Sequence, residues 1–364
     1  MWYTVKNITN IDTPALLIYK ERVSQNISKA IAMVNTLPQL RPHVKTHKIK
    51  EVAEMMLAAG ISKFKCATIA EAEMLALAKA KDVLLAYLVV GPKIKRLQLL
   101  KEKFTAINFS CLIDNYETAK VLSQNFINSP VQVYIDLNIG MNRTGVLPEK
   151  AFSLYKECLA LEGIEVAGLH AYDGHIYDTN IAIRTGKANQ VAQLLAATKN
   201  KIDLFSGNNI KVVVGGTPTF KIYAHQNKEV EVSPGTFVFW DEGYNKILPD
   251  MDFLFAAVIV TRVISVIDKY TLCVDLGHKA IAAENPLPRI AFLNISNAIP
   301  ISQSEEHLVV AVADTAQHKV GDIWYGIPTH ICPTVALYNE VMVVEKEMVS
   351  AAWKVIARDR KIGI

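Results

Sequence analysis

The chain has 364 residues, 51% hydrophobic and 20% charged, with 39 Lys and Arg against 35 Asp and Glu. That length suits roughly two domains, with a core that needs no disulfide or structural metal. A net charge of +4 on scattered basic residues argues against nucleic acid, and the longest greasy run, 253–260, is far too short to cross a bilayer.

The five cysteines are odd in number, show no paired spacing and mostly sit in apolar surroundings, which fits a reducing compartment. The first residues, Met1-Trp2-Tyr3-Thr4-Val5-Lys6, lack the apolar core of a signal peptide. A soluble cytoplasmic protein is expected, with a small anionic ligand and neither membrane nor nucleic-acid partners.

From about residue 40, β-rich runs alternate with helix-period segments. Strands are predicted at 40–45, 63–68, 83–88, 106–113, 131–137, 166–171 and 211–214, with a weaker one ending near Val232. Helices are predicted at 21–36, before the first strand, and then at 48–59, 70–80, 92–103, 115–127, 148–162, 181–201 and 217–225. Asp114 and Pro148 supply start signals. Eight β-rich runs joined by right-handed crossover helices close most economically into a (β/α)8 barrel; an open doubly wound sheet is the other solution. After about residue 236 the texture becomes mainly β, with strands near 253–260, 270–276, 308–312 and 341–344 and a helix near 345–357. The predicted organisation is a barrel over 12–235 and a β domain over 236–364, joined by a strand-like 1–11.

Lys45 ends the first predicted barrel strand, at the rim where the βα loops of such barrels gather catalytic groups. Arg41, His43, His47 and Lys48 surround it, and period two would point His43, Lys45 and His47 to one face. Crowding by positive charge favours the neutral, nucleophilic amine; the alternative is a solvated basic strand end. After the seventh strand come Gly215, Gly216 and Thr217, and after the eighth come Ser233, Pro234, Gly235 and Thr236. Glycines admit backbone N–H groups to an anion, Thr217 adds a hydroxyl, and a helix opening there would add its dipole. Each loop is a plain turn by itself; together they sit where barrels hold phosphate.

Arg143, beyond the fifth strand, either reaches inward to a cofactor ring nitrogen or a substrate carboxylate, or closes its loop through Asp136. Tyr172 and His175 follow the sixth strand and can act as acid–base groups, whereas His170 reads as structural. His330 and Cys332 are either two metal ligands facing one way on an extended segment, open as a catalytic metal requires, or a buried thiol beside a histidine.

The string Pro42-His43-Val44-Lys45-Thr46-His47-Lys48, with Asp12 to Leu16, Phe64 to Thr68, Glu71-Ala72-Glu73, Asp136 to Gly145, Gly215 to Pro218, Pro234 to Thr236 and His330 to Thr334, resembles the D-threonine aldolase/D-serine dehydratase family. These are alanine-racemase-like, fold-type III enzymes of pyridoxal 5'-phosphate (PLP), and the resemblance spans essentially the whole chain. It implies a PLP barrel, a C-terminal β domain and a homodimer. It further implies a Schiff base on Lys45, phosphate contacts from Gly216 and Thr217, and a divalent metal, zinc or manganese, on His330 and Cys332 beside the cofactor. The substrates implied are β-hydroxy-D-amino acids, cleaved at Cα–Cβ or stripped of the β-hydroxyl. Aldolases of the family tend to carry Asp at the second metal position and dehydratases Cys, so Cys332 points to dehydration. Tyr172-Asp173-Gly174-His175, with a histidine able to deprotonate a β-hydroxyl, points to the aldolase, which is the leading expectation. A racemase would not need His330 and Cys332, and a non-catalytic PLP-binding protein would not need the β domain.

Overall fold

The computed structural model describes residues 1–364. The chain divides into two compact units. One comprises 1–29, 46–52 and 236–358; the other comprises 30–45, 53–235 and 359–364.

The first strand of the chain, β1 (Ala15–Tyr19), belongs to the β unit and is buried at every position. The barrel unit follows with β2 (Lys63–Cys66), β3 (Asp82–Leu88), β4 (Asn108–Ile113), β5 (Val131–Leu137), β6 (Ile164–Ala171), β7 (Lys211–Val214) and β8 (Val230–Val232). They form one sheet in that order with every neighbouring pair parallel, as crossover helices dictate. The eighth position is not a regular strand. Residues 40–43 bridge β8 and β2 through Leu40–Val232 and His43–Lys65, closing the (β/α)8 barrel. Pro42 has no N–H to donate, and the chain turns into a 3-10 helix at Val44–Thr46, so the ladder expected over 40–45 shrinks to bridges.

The crossover helices start where side chains satisfy their first N–H groups. Thr68 accepts from Glu71 N, Asn115 from Thr118 N, and Asn180 from Ala182 N and Ile183 N. Inside the barrel, Leu84, Leu112, Tyr134 and Val213 pack as one buried layer. Its floor is ionic. The Arg41 guanidinium, fully buried, donates to Glu231 at 2.5 Å and to Asp82 at 2.6 Å, and Lys63 also pairs with Glu231.

The β unit adds β9 (Ala257–Val266), β10 (Thr271–Val274), β11 (Ile290–Phe292), β12 (Ile299–Gln303), β13 (Leu308–Ala311), β14 (Ile323–Pro328), β15 (Glu340–Glu345) and β16 (Met348–Lys354). The strand path is β12-β13-β10-β9-β1-β15-β16, with β14 bridging β9 and β11. Tyr3, Val5, Leu17, Val258, Tyr325 and Val344 belong to its core cluster. Two expectations fail here. Residues 1–11 hold a 3-10 turn at Ile8–Asn10, and the N-terminal strand is Ala15–Tyr19 instead. The helix expected near 345–357 is the β15–β16 hairpin, turned by Lys346 and Glu347, both at positive φ. No helix is long and apolar enough to cross a membrane, and no disulfide joins any of the cysteines.

Candidate active site and candidate metal pair

The barrel rim gathers its polar groups around one ring. Tyr172, just past β6, has Lys45 Nζ 5.5 Å from its ring centroid, Lys65 Nζ at 5.7 Å and Arg143 Cζ at 5.2 Å. Arg143 therefore does not close its loop through Asp136, whose carboxylate is taken by other donors. His170 Nδ1 lies 2.7 Å from Asp136 Oδ1, and Thr144 Oγ1 donates to Oδ2 at 2.8 Å. On the other side of the imidazole, Lys65 Nζ is 3.5 Å from His170 Nε2.

These contacts decide the protonation pattern. Burial alone would raise the Asp136 pKa, but the His170 hydrogen bond and charge, with Thr144, hold it below the usual carboxylate range. Burial lowers the His170 pKa and Lys65 adds to that, while Asp136 opposes it. A neutral imidazole with its proton on Nδ1, donated to Asp136, leaves Nε2 to accept from Lys65. Burial and then Lys45 bring the Lys65 pKa down to about 7, against the opposing pull of Asp173 and Asp136.

The crowd expected around Lys45 is therefore different in kind. Arg41 points to the barrel floor. His47 is wholly buried, with Nδ1 accepting from Ile49 N and Nε2 without a partner. Burial pushes its pKa down to about 3. The 3-10 turn breaks the period-two arrangement, and His43 Nδ1 instead accepts from Lys45 N at 3.2 Å. Lys65 is the cation brought to Lys45, and only the parallel pairing of β2 discloses it.

The two glycine loops form a close-fitting cradle. Gly215 has φ +78, and a Cβ there would meet Tyr223 Cδ2 at 2.9 Å; one at Gly216 would meet Tyr172 Cε2 at 3.1 Å. Gly216 N donates to Thr219 Oγ1, and Gly235 N donates to Thr217 Oγ1 at 3.1 Å, which ties the two loops together. Buried Asp173 hydrogen-bonds Thr219 and Tyr223, so it fixes the shape of the first loop. Its pKa is raised by burial. Ser233 Oγ is buried beside this cradle in sequence, with no partner of its own. The helix after Gly216 begins only at Phe220, so the expected helix dipole does not open on the glycine pair. An amine, a backbone cradle that side chains would fill and an unsatisfied hydroxyl fit an aldehyde-bearing phosphate such as PLP. His175 packs on the neighbouring β5 loop: a Cβ on Gly140 would stand 2.7 Å from its Nε2, and its Nδ1 is buried without a partner.

In the β unit, His330 caps and Cys332 lies within a short helix, Ile331–Val335, rather than on an extended segment. The helical turn still brings them together, for the thiol hydrogen-bonds the imidazole. Burial would lower the His330 pKa, but Cys332, Asp241 and Glu284 outweigh it and raise it to about 9. Glu284 Oε1 is 2.6 Å from His330 Nδ1, an outer carboxylate that would direct Nε2 to a metal. Asp241 accepts from Ile331 N at 3.0 Å and from Tyr244 N at 2.9 Å, pinning the helix start, and burial raises its pKa to about 6. Cys332 Sγ lies 3.1 Å from Thr46 Oγ1 and 3.5 Å from Thr236 Oγ1. No third His, Cys, Asp or Glu completes a ligand group. An imidazole and a thiol with an orienting carboxylate suit a divalent ion with open positions, zinc above the harder metals.

Two family descriptions match the chain. Residues 18–241 match the alanine racemase N-terminal domain, and residues 256–344 match a putative serine dehydratase domain. A D-threonine aldolase from Arthrobacter sp is 26% identical over 96% of this chain and 94% of its own length. A D-serine dehydratase from Dictyostelium discoideum is 22% identical over 94% of this chain and 95% of its own. The crystal structure of D-threonine aldolase from Filomicrobium marinum superposes with a TM-score of 0.89 at 25% identity, covering 96% of each chain. With its barrel matched from residue 18 to residue 241, well over half of its length, the chain belongs to the alanine racemase N-terminal domain family.

Proposed function

We propose that this chain is a PLP- and divalent-metal-dependent lyase of β-hydroxy-D-amino acids, cleaving Cα–Cβ as a D-threonine aldolase does, to glycine and an aldehyde. PLP, when bound, supplies an electron sink for charge developing at Cα, and the metal supplies a Lewis acid for the substrate oxygen. Lys45 is the amine that holds the cofactor aldehyde. Gly215, Gly216, Thr217, Gly235 and Thr236 hold its phosphate, with Ser233 Oγ free to join them. Tyr172 and Arg143 bind and orient the ring and the substrate carboxylate. His330 and Cys332 hold the metal, and the family resemblance extends the reading to a homodimer.

The observation that carries the aldolase reading is His175. It is an imidazole on the β6 rim loop whose Nδ1 is buried and unpartnered, so it is available to take the proton of a β-hydroxyl. The relatives named D-threonine aldolase support the same substrate class. A second reading, elimination of the β-hydroxyl to an oxo acid and ammonia, is favoured by Cys332 and by the putative serine dehydratase match over 256–344. The PLP-loaded protein, supplied with zinc or manganese, is incubated with D-threonine and separately with D-serine. Glycine with acetaldehyde is expected. Formation of 2-oxobutanoate or pyruvate with ammonia would replace the first reading by the second.

A further inference from the structure

The rim carries a second amine that the aldolase reading does not use. Lys65 is the penultimate residue of β2, is only 2% exposed, and points inward at the same tyrosine ring as Lys45. The charged and titratable groups acting on it are Lys45, Arg41, Asp136 and His170 from the barrel strands and their ends, and Asp173 from the β6 loop. His170 donates its Nδ1 proton to Asp136, so Nε2 can accept from Lys65 Nζ at 3.5 Å. An amine that is buried and beside another cation loses its proton readily and keeps its lone pair available.

We propose that Lys65 is a second carbonyl-reactive amine of this site, able to form the C=N bond with an aromatic aldehyde phosphate when Lys45 is absent. This rests on the reading that PLP is held at Lys45. The step is a condensation. Lys65 Nζ adds to the aldehyde carbon, the amine protons leave with the carbonyl oxygen as water, and no oxidant or reductant is consumed. His170 takes up and returns the proton that moves between nitrogen and oxygen. The lowered pKa of Lys65, about 7, leaves much of the amine unprotonated at neutral pH, unlike a surface lysine.

The test is borohydride trapping with PLP followed by peptide mass spectrometry, a readout independent of turnover. Wild-type protein is expected to carry the reduced pyridoxyl group on Lys45. Lys45→Ala is expected to carry it on Lys65, and Lys45→Ala/Lys65→Met on neither. A folded Lys45→Ala protein that shows no label at residue 65 overturns the proposal. Label on neither lysine of the wild type overturns the Lys45 reading and the proposal together. Label on Lys65 alone in the wild type overturns the Lys45 reading and, with it, the place of Lys65 as the second amine. Should Lys45→Ala not fold, Lys45→Met, which keeps the bulk of the side chain, is trapped in its place: label on Lys65 is expected, and a folded Lys45→Met protein with none there overturns the proposal.

Discussion

Gly140→Ala tests whether His175 works where the fold puts it. Gly140 has φ +118, and a Cβ there would lie 2.7 Å from His175 Nε2 and 3.1 Å from Cε1. Ordinary contact begins at 3.4 Å, so the imidazole must retreat by about 0.7 Å, the difference between that limit and the 2.7 Å approach. Misplacing a reacting group by about 1 Å costs on the order of a hundredfold in rate, so kcat should fall about ten- to a hundredfold, roughly 1.4–2.7 kcal/mol of barrier. The positive φ adds backbone strain of about 1–3 kcal/mol, which appears as lost stability. The two effects separate in a double-mutant cycle. Steady-state kinetics on D-threonine would be measured for Gly140→Ala, His175→Ala and the double variant, beside their unfolding midpoints. If Gly140 acts through His175, adding Gly140→Ala to His175→Ala should leave kcat nearly unchanged while the midpoint still drops. Full additivity in kcat would refute the reasoning and assign the loss to general loosening of the β5 loop.

Three further outcomes follow from other parts of the molecule. Arg41→Met removes the guanidinium from Asp82 and leaves Glu231 with Lys63 alone, so it should cost about 3–5 kcal/mol in urea unfolding, and a cost below about 1 kcal/mol would contradict the ionic floor. His47 is neutral when folded and its pKa sits at about 3 against an ordinary 6.5, so the unfolded chain binds the extra proton between those values. Stability is therefore intact above pH 6.5 and falls as pH drops toward 3, by at most roughly 5 kcal/mol, and His47→Phe should flatten that acid limb in unfolding measured by circular dichroism. Glu284→Gln keeps the shape but loses the charge on His330 Nδ1, so zinc should bind about 10- to 100-fold more weakly in competition with a chromophoric chelator; unchanged affinity would remove Glu284 from the metal pair.

Much of the barrel was legible because burial on both faces writes short apolar runs, and crossover helices write 3.6 periods between them. The strands at 131–137 and 211–214 match residue for residue. The first barrel strand was not legible, since Pro42 leaves bridges where the pattern suggests a ladder. In the β unit, β12 and β14 escaped because Pro300 and Gly326 interrupt their alternation. At the site, residues that announce themselves by local chemistry, such as the Gly215-Gly216 loop and the His330–Cys332 spacing, could be read from sequence. Residues defined by a distant partner could not. Lys63 and Lys65 flank one phenylalanine on the same face of β2, yet Lys63 joins the floor and Lys65 the rim. Asp173 and Glu284 matter through distant partners such as Tyr223 and His330, each about fifty residues away in sequence.

The rim is built against its own stability. Lys45, Lys65 and Arg143 all face Tyr172, and each ring contact returns only about 0.5–2 kcal/mol against the cost of gathering like charges. The Lys65 pKa of about 7, against an ordinary 10.5, expresses burial of the amine first and the neighbouring charge of Lys45 second. The folded pKa is depressed, so between these values the unfolded chain binds more protons and stability rises with pH. At or below pH 7 the penalty has its full value, at most roughly 5 kcal/mol, and it shrinks by roughly 1.4 kcal/mol for each pH unit above 7. An anionic cofactor meets the charges that folding has gathered; at a hundred times its dissociation constant, binding would add about 2.7 kcal/mol to stability. Lys65→Met should therefore raise the unfolding midpoint of the apoprotein at pH 7 and keep only about half of that advantage at pH 9. The same variant should shrink the stabilisation gained from PLP. Differential scanning fluorimetry of the apo and PLP-loaded forms at the two pH values reads all of these, and a Lys65→Met apoprotein less stable than wild type at pH 7 would show that Lys65 packs the barrel rather than charging it for its ligand.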